Sequence, residues 1–421
     1  MHSDFRRHSG RPSLPRSGAI RRVAQVLAVA ILLLTLSAGA CTRTPSFSEK
    51  VDRIASPYRF SIARWELQNV RESDNSRPGS QTTATTDDVL RYFADTDRVG
   101  SLQSQIQAVK SGTASGDLAH LTGQLDETQS EKNALEPAVQ AALTAQINET
   151  LISQGIYSSF GKHHFNLPPV RFNLTVPPHV LVISPRDRIL LQESILLDQT
   201  MTVAQMESIE SGVDALGVSS AVLDLGGFGG SYPTFVDNSS DIRFTVETAI
   251  HEWLHQYLAF KPLGFRYVLD LLGIRPDGDI ATMNETVADI VSKELASSLL
   301  CRYYSLCGTG QTPASPGAFN FDQEMKSARK TVDALLGKGD VAGAEQFMEQ
   351  ERQYLLTKGY YIRKLNQAYF AFNDQYADTP ASTNPIGGEL NKLRSQSPSL
   401  KDFLERVSRM TGRADLTASI R

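Results

Sequence analysis

The chain has 421 residues, of which 41% are hydrophobic, and 42 basic residues nearly balance 46 acidic ones, leaving a net charge of −4. This length is sufficient for more than one domain, and the composition is typical of a folded globular protein. The charge balance excludes the basic surface that nucleic-acid binding requires, so we expect no nucleic-acid partner.

The amino terminus carries the pattern of an export signal. An arginine-rich segment precedes a short apolar run, Val23–Leu36, and small residues then lead to Cys41. The apolar run is too short to span a bilayer comfortably. The order of these features predicts a signal peptide over residues 1–40. Cys41 resembles the processing site of a bacterial lipoprotein, which implies a lipid anchor and a location in the cell envelope, on its periplasmic or extracellular face. An uncleaved signal would instead anchor the chain through the apolar run.

Residues 41–160 are predicted to form a linker followed by amphipathic helices. Thr85 and Asp88 have capping-box spacing, which predicts a helix start near Asp87. The small-residue cluster Ser111–Gly116 interrupts that helix, and Pro137 suits the first turn of another. No residue of this region indicates a function.

The pattern changes after Leu167, where short β-like runs alternate with prolines and one helical segment. Together with the long helical patterns on both sides, these runs predict a mostly helical α+β fold. The predicted strands are Val170–Thr175, Val180–Ser184 and Ser219–Leu225. The segment Arg188–Leu197 can continue the sheet, and the predicted helix is Val203–Leu216.

The segment Thr245–Tyr257 contains the motif His251-Glu252-Trp253-Leu254-His255 within a helical pattern. Residues four apart share one face of a helix, so both imidazoles can bind one metal ion. Glu252 lies about 100° further around the helix and can reach a water molecule at that ion. The motif therefore predicts a metal site for hydrolysis. The alternative is a surface helix that carries two histidines.

A second helical segment, Asn284–Asp289, supplies two carboxylates spaced four residues apart, Glu285 and Asp289. Glu285 would complete a set of three protein ligands, the usual number for catalytic zinc. Asp289 could accept the free N–H of a ligating histidine. The alternative is that Glu285 forms a capping box with Thr282 and only caps its helix.

The two segments, H-E-x-x-H followed by N-E-x-x-x-D, resemble the gluzincins, the thermolysin-like clan of zinc metallopeptidases. The resemblance implies that Zn²⁺ is held by His251, His255 and Glu285. It also implies that Glu252 is the general base and that Asp289 orients a ligand. The long connection between His255 and Glu285 predicts an insertion.

The resemblance further implies a zincin-like catalytic domain with a small β-sheet over residues 161–421, which hydrolyses peptide or protein substrates. No G-x-M-E-N pattern is present, so an endopeptidase is favoured over an aminopeptidase. The strand Val222–Gly227 precedes the motif helix and could pair with an extended substrate, although a core strand would have the same pattern.

Gluzincins also use a second electrophile to stabilise the oxyanion. All eight histidines lie at or before His255, so the resemblance leaves Tyr361, Tyr369 and Arg363 as candidates. The two tyrosines also share one predicted helical face with apolar residues, and simple packing is the alternative.

Cys301 and Cys307 are predicted to form a disulfide, because an exported chain with one close cysteine pair commonly oxidises it. Two free thiols are the alternative. For the whole chain, the rival to an exported zinc peptidase is a non-catalytic envelope lipoprotein in which zinc stabilises a binding or assembly module.

Overall fold

The computed structural model describes residues 45–62, 65, 84–160, 162–308, 319–377, 379 and 381–420. The expected signal peptide and Cys41 lie outside these residues. The described residues from Val51 onward form one compact unit. No helix in the described part of the chain is both long and apolar enough to cross a membrane.

The protein has an α+β fold that is mostly helical, as predicted. Within the described residues the helices are α1 (Phe47–Ala55), α2 (Thr86–Lys110), α3 (Leu118–Ser153), α4 (Val203–Asp214), α5 (Ile242–Ala259), α6 (Pro262–Leu271), α7 (Gly278–Tyr304), α8 (Phe321–Gly337), α9 (Val341–Thr357), α10 (Gln367–Asn373), α11 (Pro385–Ser395), α12 (Leu400–Ser408) and α13 (Arg413–Ser419). The strands are β1 (Ser158–Phe160), β2 (His163–Phe165), β3 (Phe172–Leu174), β4 (His179–Pro185), β5 (Glu193–Leu197), β6 (Val218–Asp224), β7 (Gly227–Phe228) and β8 (Thr234–Val236).

The strands form small sheets rather than one large sheet. Strand β4 lies between β5 and β6 and is antiparallel to both. In a second sheet, β8 pairs in parallel with β3 and antiparallel with β7, while β1 and β2 form a separate antiparallel pair. The central residues of β4 and β6 are all buried, with no alternation between buried and exposed positions. Continuous burial of this kind is typical of strands that are covered on both faces.

The long helix α3 differs from the expected helix start at Pro137. Asp117 caps α3 by accepting the backbone N–H groups of Ala119 and His120, and the helix continues through Pro137 to Ser153. An interior proline costs about 3 kcal/mol. Burial of apolar residues on the carboxyl-terminal half of α3 offsets this cost, so tertiary packing overrides the local signal.

The core joins the amino-terminal helices to the rest of the unit. Side chains of α2 and α3, including Tyr92 and Leu143, share one hydrophobic cluster with Val246 of α5 and Val291 of α7. The region expected over residues 41–160 therefore has no core of its own from α2 onward, and its helices support those that carry the sequence motifs.

Helices α5 and α7 pack against each other, and α6 forms the connection between them. Asp241 caps α5 by accepting the backbone N–H of Phe244 at 2.9 Å. Trp253 is 2% exposed and donates its ring N–H to the Pro168 carbonyl at 2.8 Å. A Cβ on Gly264 would lie 2.2 Å from the Leu258 carbonyl, so glycine permits the close approach of α6 to α5.

The end of α7 is held by a short loop. Ser305 adopts a left-handed conformation, with φ of 58°, and its backbone N–H donates to the Leu300 carbonyl. Cys301 and Cys307 are joined by a disulfide across this turn, with their Cα atoms 4.2 Å apart.

Candidate metal centre

Helices α5 and α7 bring three predicted ligands together. Nε2 of His251 and Nε2 of His255 are 3.1 Å apart, and each lies 3.3 Å from Oε2 of Glu285. His251 is 8% exposed and Glu285 is 6% exposed, so little water reaches these side chains. This buried group could hold a metal ion.

The outer nitrogen of each ring has an oxygen atom nearby, which favours a proton on that nitrogen. Nδ1 of His255 lies 2.6 Å from Oδ1 of Asn284, and Nδ1 of His251 lies 3.6 Å from Oδ1 of Asp289. A proton on each Nδ1 leaves both Nε2 atoms as lone pairs that face the Glu285 carboxylate. Three converging lone pairs require a positive charge between them, either a cation or an added proton.

The distances fit a small, tetrahedral cation. Ligand atoms that bind one zinc ion tetrahedrally at about 2.0–2.1 Å lie about 3.3 Å from one another. The separations of 3.1 Å and 3.3 Å among the three donors match that value. Two imidazole nitrogens and one carboxylate oxygen are also a donor set that zinc accepts.

Glu285 is an interior residue of its helix rather than a cap. Helix α7 begins at Gly278 and is capped by Asp277, whose side chain accepts the backbone N–H of Ile280. The Thr282 hydroxyl donates to the Gly278 carbonyl. The capping-box alternative for Glu285 is therefore wrong, because the N-cap is Asp277, five residues before the Thr282 that this alternative requires.

A tyrosine of α6 fixes the second oxygen of Glu285. The Tyr267 hydroxyl donates to Oε1 at 2.5 Å, which leaves Oε2 directed at the two histidines. Burial opposes ionisation of Glu285, but the charge of His255 and hydrogen bonds from both histidines hold its pKa well below the usual range. The carboxylate therefore stays negative inside the protein.

Burial alone would lower the pKa values of the two histidines. Hydrogen bonds to Asp289 and Glu285 outweigh burial at His251, and the charge of Glu285 does so at His255, so both pKa values are raised. Without a cation between the three groups, both rings therefore hold a proton more tightly than a histidine in water.

Glu252 lies beside the three ligands against a glycine-rich loop, Gly226–Gly230. A Cβ on Gly227 or Gly229 would lie 2.8 Å or 2.6 Å from a carboxylate oxygen of Glu252, so only glycine leaves room for that side chain. Burial raises the pKa of Glu252, although the two histidines and a backbone hydrogen bond from Gly229 oppose the shift.

A cavity of about 210 Å³ opens beside His251 and Glu252. One wall is the stretch Asp224–Gly227, which places part of the predicted cleft strand at the site. Phe372 and Tyr376 also line the cavity, and the Tyr376 ring centroid lies 6.0 Å from that of His251. Burial, with the nearby Glu285 carboxylate, raises the pKa of Tyr376 well above its usual range, so its hydroxyl stays protonated.

The structure does not bring the three candidate electrophiles to this cavity. Tyr361 is 74% exposed, and Tyr369 packs in the hydrophobic cluster of α8 and α9. Arg363 donates to Glu210 and to the Val222 carbonyl. None of the three is among the described residues that line the cavity; Tyr376, which the sequence pattern did not single out, occupies that position.

Fold and site thus define a mostly helical α+β protein with a buried His₂Glu group suited to a metal ion. No protein family, curated protein or solved structure that was compared with the chain matches it. The function therefore has to be inferred from the site itself.

Proposed function

We propose that this protein is an exported zinc-dependent peptidase and that Glu252 is its general base. The observation that carries the proposal is the convergence of three lone pairs, from His251, His255 and Glu285, beside a fourth buried group with access to a cavity. A structural metal site normally has four protein ligands, whereas a catalytic site has three and keeps one position open.

Zn²⁺ bound by these three residues would polarise a substrate carbonyl and lower the pKa of a water molecule. Glu252 then accepts a proton from the attacking water and delivers it to the leaving amine. Its raised pKa suits this exchange, because a base of higher pKa holds the proton long enough to return it. The close glycine loop keeps the carboxylate in one place.

Tyr376 is the group best placed to stabilise the oxyanion. Its hydroxyl remains a hydrogen-bond donor at neutral pH, and its ring lines the cavity with its centroid 6.0 Å from that of His251. Fixed donors that point at developing negative charge are among the larger contributions to catalysis. Tyr376 replaces Tyr361, Tyr369 and Arg363 in this role.

The substrate proposed here is an extended peptide. Strand β6 ends at Asp224, and the stretch Asp224–Gly227 at this end forms part of the cavity wall. A peptide that pairs with the backbone of this stretch would run past Glu252. An endopeptidase remains favoured, and Cys41 remains the proposed lipid attachment site that would keep the enzyme in the bacterial cell envelope.

Replacing Glu252 with glutamine separates catalysis from metal binding. Glu252→Gln keeps the size of the side chain but removes the base, so peptide cleavage should fall by at least about 100-fold. Zinc content and the melting temperature should stay close to wild type. The measurement is hydrolysis of a fluorogenic peptide library by the zinc-loaded chain.

Two results would oppose the proposal. Unchanged cleavage by Glu252→Gln would remove Glu252 as the base. A wild-type chain that binds zinc stoichiometrically but cleaves no peptide of the library would favour the alternative, an envelope lipoprotein in which zinc stabilises a binding or assembly module.

A further inference from the structure

An exposed apolar surface lies next to the metal centre, at the end of α5 and on the outer side of α6. Five large apolar side chains there are between 56% and 77% exposed. We call this surface the apolar patch; its members are Phe260, Phe265, Leu271, Leu272 and Ile274. Exposed apolar side chains that cluster in this way mark interaction surfaces in soluble domains.

The apolar patch is held firmly by the structure beneath it. The inner side of α6 buries Leu263 and Gly264 against α5. At its carboxyl end, Gly273 has φ of 66°, and the backbone N–H of Ile274 donates to the Leu269 carbonyl. This turn is a Schellman motif, which folds Ile274 back over the last turn of the helix. The patch is thus part of the ordered helix end.

Charge identifies the surface that the patch fits. Arg266 is buried and paired with Asp277 at 3.0 Å, so it adds no charge to the patch. Lys261 and Arg275 lie at the two ends of α6 and its turn. Asp270 accepts the backbone N–H of Asp277 at 2.6 Å. A helix with an apolar outer face between basic ends is suited to the surface of an anionic bilayer.

We propose that the apolar patch inserts into the outer layer of an anionic lipid bilayer, with Lys261 and Arg275 bound to lipid headgroups. The apolar run Val23–Leu36 and Cys41 are expected to tether the chain to such a bilayer. A tether raises the effective concentration of the patch at the surface, so a contact that is weak by itself becomes stable. Membrane insertion of the patch is a separate property that does not depend on peptidase activity.

The location of the patch has a consequence for the metal centre. Tyr267, on the same helix, donates to the Glu285 carboxylate. Insertion of α6 would therefore keep the metal centre one helix away from the lipid surface. A substrate for this site would be a polypeptide segment close to the membrane.

A fluorescent label on the patch tests the proposal. The full chain with Cys41→Ser and Leu272→Cys has one reactive thiol, because Cys301 and Cys307 are held in a disulfide. The labelled chain is reconstituted into vesicles of phosphatidylcholine and phosphatidylglycerol. The matched control carries the label at Leu356, which is 50% exposed on α9, away from the patch sequence.

Emission from residue 272 should shift to shorter wavelength and be quenched by nitroxide-labelled lipids, whereas emission from residue 356 should not. The double variant Lys261→Glu, Arg275→Glu should weaken insertion by at least about 30-fold, since each basic residue near an anionic surface contributes about fivefold to binding. Emission from residue 272 that remains as in water would overturn the proposal. A blue shift without quenching by the lipids would also overturn it and would assign the patch to a second copy or another protein.

Discussion

Two buried glutamates of this protein show how differently a fold can treat the same charge. Glu210 is 3% exposed and Glu285 is 6% exposed. Glu210 accepts hydrogen bonds from the Arg363 guanidinium and from the backbone N–H of Val222, and Lys364 lies 3.6 Å away. Glu285 instead faces His251 and His255, whose near nitrogens bring lone pairs rather than permanent positive charge.

The difference separates a structural charge from a functional one. A buried carboxylate is costly unless it is paired. The protein pairs Glu210 with its own cations, so that cluster is complete. At Glu285 the chain supplies the anion and two imidazole nitrogens, and a cation from outside could complete the group. A buried carboxylate that faces imidazole nitrogens and no arginine or lysine is a better indicator of a metal site than burial alone.

The largest expected effect is loss of the bound metal from His255→Ala. Loss of a hydrogen bond to a ligating histidine lowers metal affinity about 10- to 100-fold. This variant removes one of the three donors itself, so zinc affinity should fall by more than that. Elemental analysis of the purified variant measures it. His120→Ala is the matched control, because His120 is exposed on α3, and it should keep its zinc. Full zinc retention by His255→Ala would remove that ligand.

Arg363→Ala tests the other side of the comparison. It leaves Glu210 with one weaker cationic partner, and breaking a buried pair costs about 3–5 kcal/mol of unfolding free energy. Urea unfolding should show the same loss with and without a chelator, since this cluster is independent of metal. Arg352→Ala, which breaks an exposed pair with Glu349, should cost less than about 1 kcal/mol.

A loss of stability by Arg363→Ala that appears only in the metal-loaded protein would contradict this separation. It would show that the two clusters are coupled and that the Glu210 cluster takes part in the metal centre.

A smaller effect is expected from Asn284→Ala. Asn284 contacts only the outer nitrogen of His255, so zinc affinity should fall about 10- to 100-fold while the ligand set remains. Competition with a fluorescent zinc chelator measures the change. Asn391→Ala on α11 is the control, because Asn391 donates to the Gly387 carbonyl far from the site motifs in sequence. Equal affinities for the two variants would remove Asn284 as an orienting residue.

The ligands of the metal centre were predictable because helical spacing fixes them. His251 and His255 are four residues apart on α5, and so are Glu285 and Asp289 on α7. A regular helix therefore places each pair on one face, whatever surrounds it. The contact between these two faces depends on the tertiary structure. The chemistry of the donor set and the resemblance to gluzincins suggested it.

The other residues of the site are not related to the histidines by helical spacing in the sequence. Tyr267 reaches Glu285 only because Gly264 lets α6 approach α5 closely. Tyr376 lies in a turn after α10, where spacing carries no information. Both positions depend on how distant segments pack, so local patterns could not reveal them.

The candidates Tyr361, Tyr369 and Arg363 came from the resemblance, and the helical face predicted for the two tyrosines is absent because the chain between α9 and α10 is irregular. Gly359, with φ of 89°, follows the end of α9, and the next helix begins only at Gln367, where the Asn366 side chain caps it. Tyr361 and Arg363 lie between these points and share no helical face with Tyr369. The salt bridge of Arg363 to Glu210 holds that irregular stretch against β6.

Native mass spectrometry of the metal-stripped chain during titration with zinc shows whether His251, His255 and Glu285 bind one ion together. We expect the wild-type chain to bind about one zinc ion tightly, whereas Glu285→Ala, which removes only the anionic donor, should not reach this occupancy at the same free zinc concentration. Failure of the wild-type chain to bind zinc, or equal occupancy of both chains, would contradict the assignment of His251, His255 and Glu285 as one metal centre.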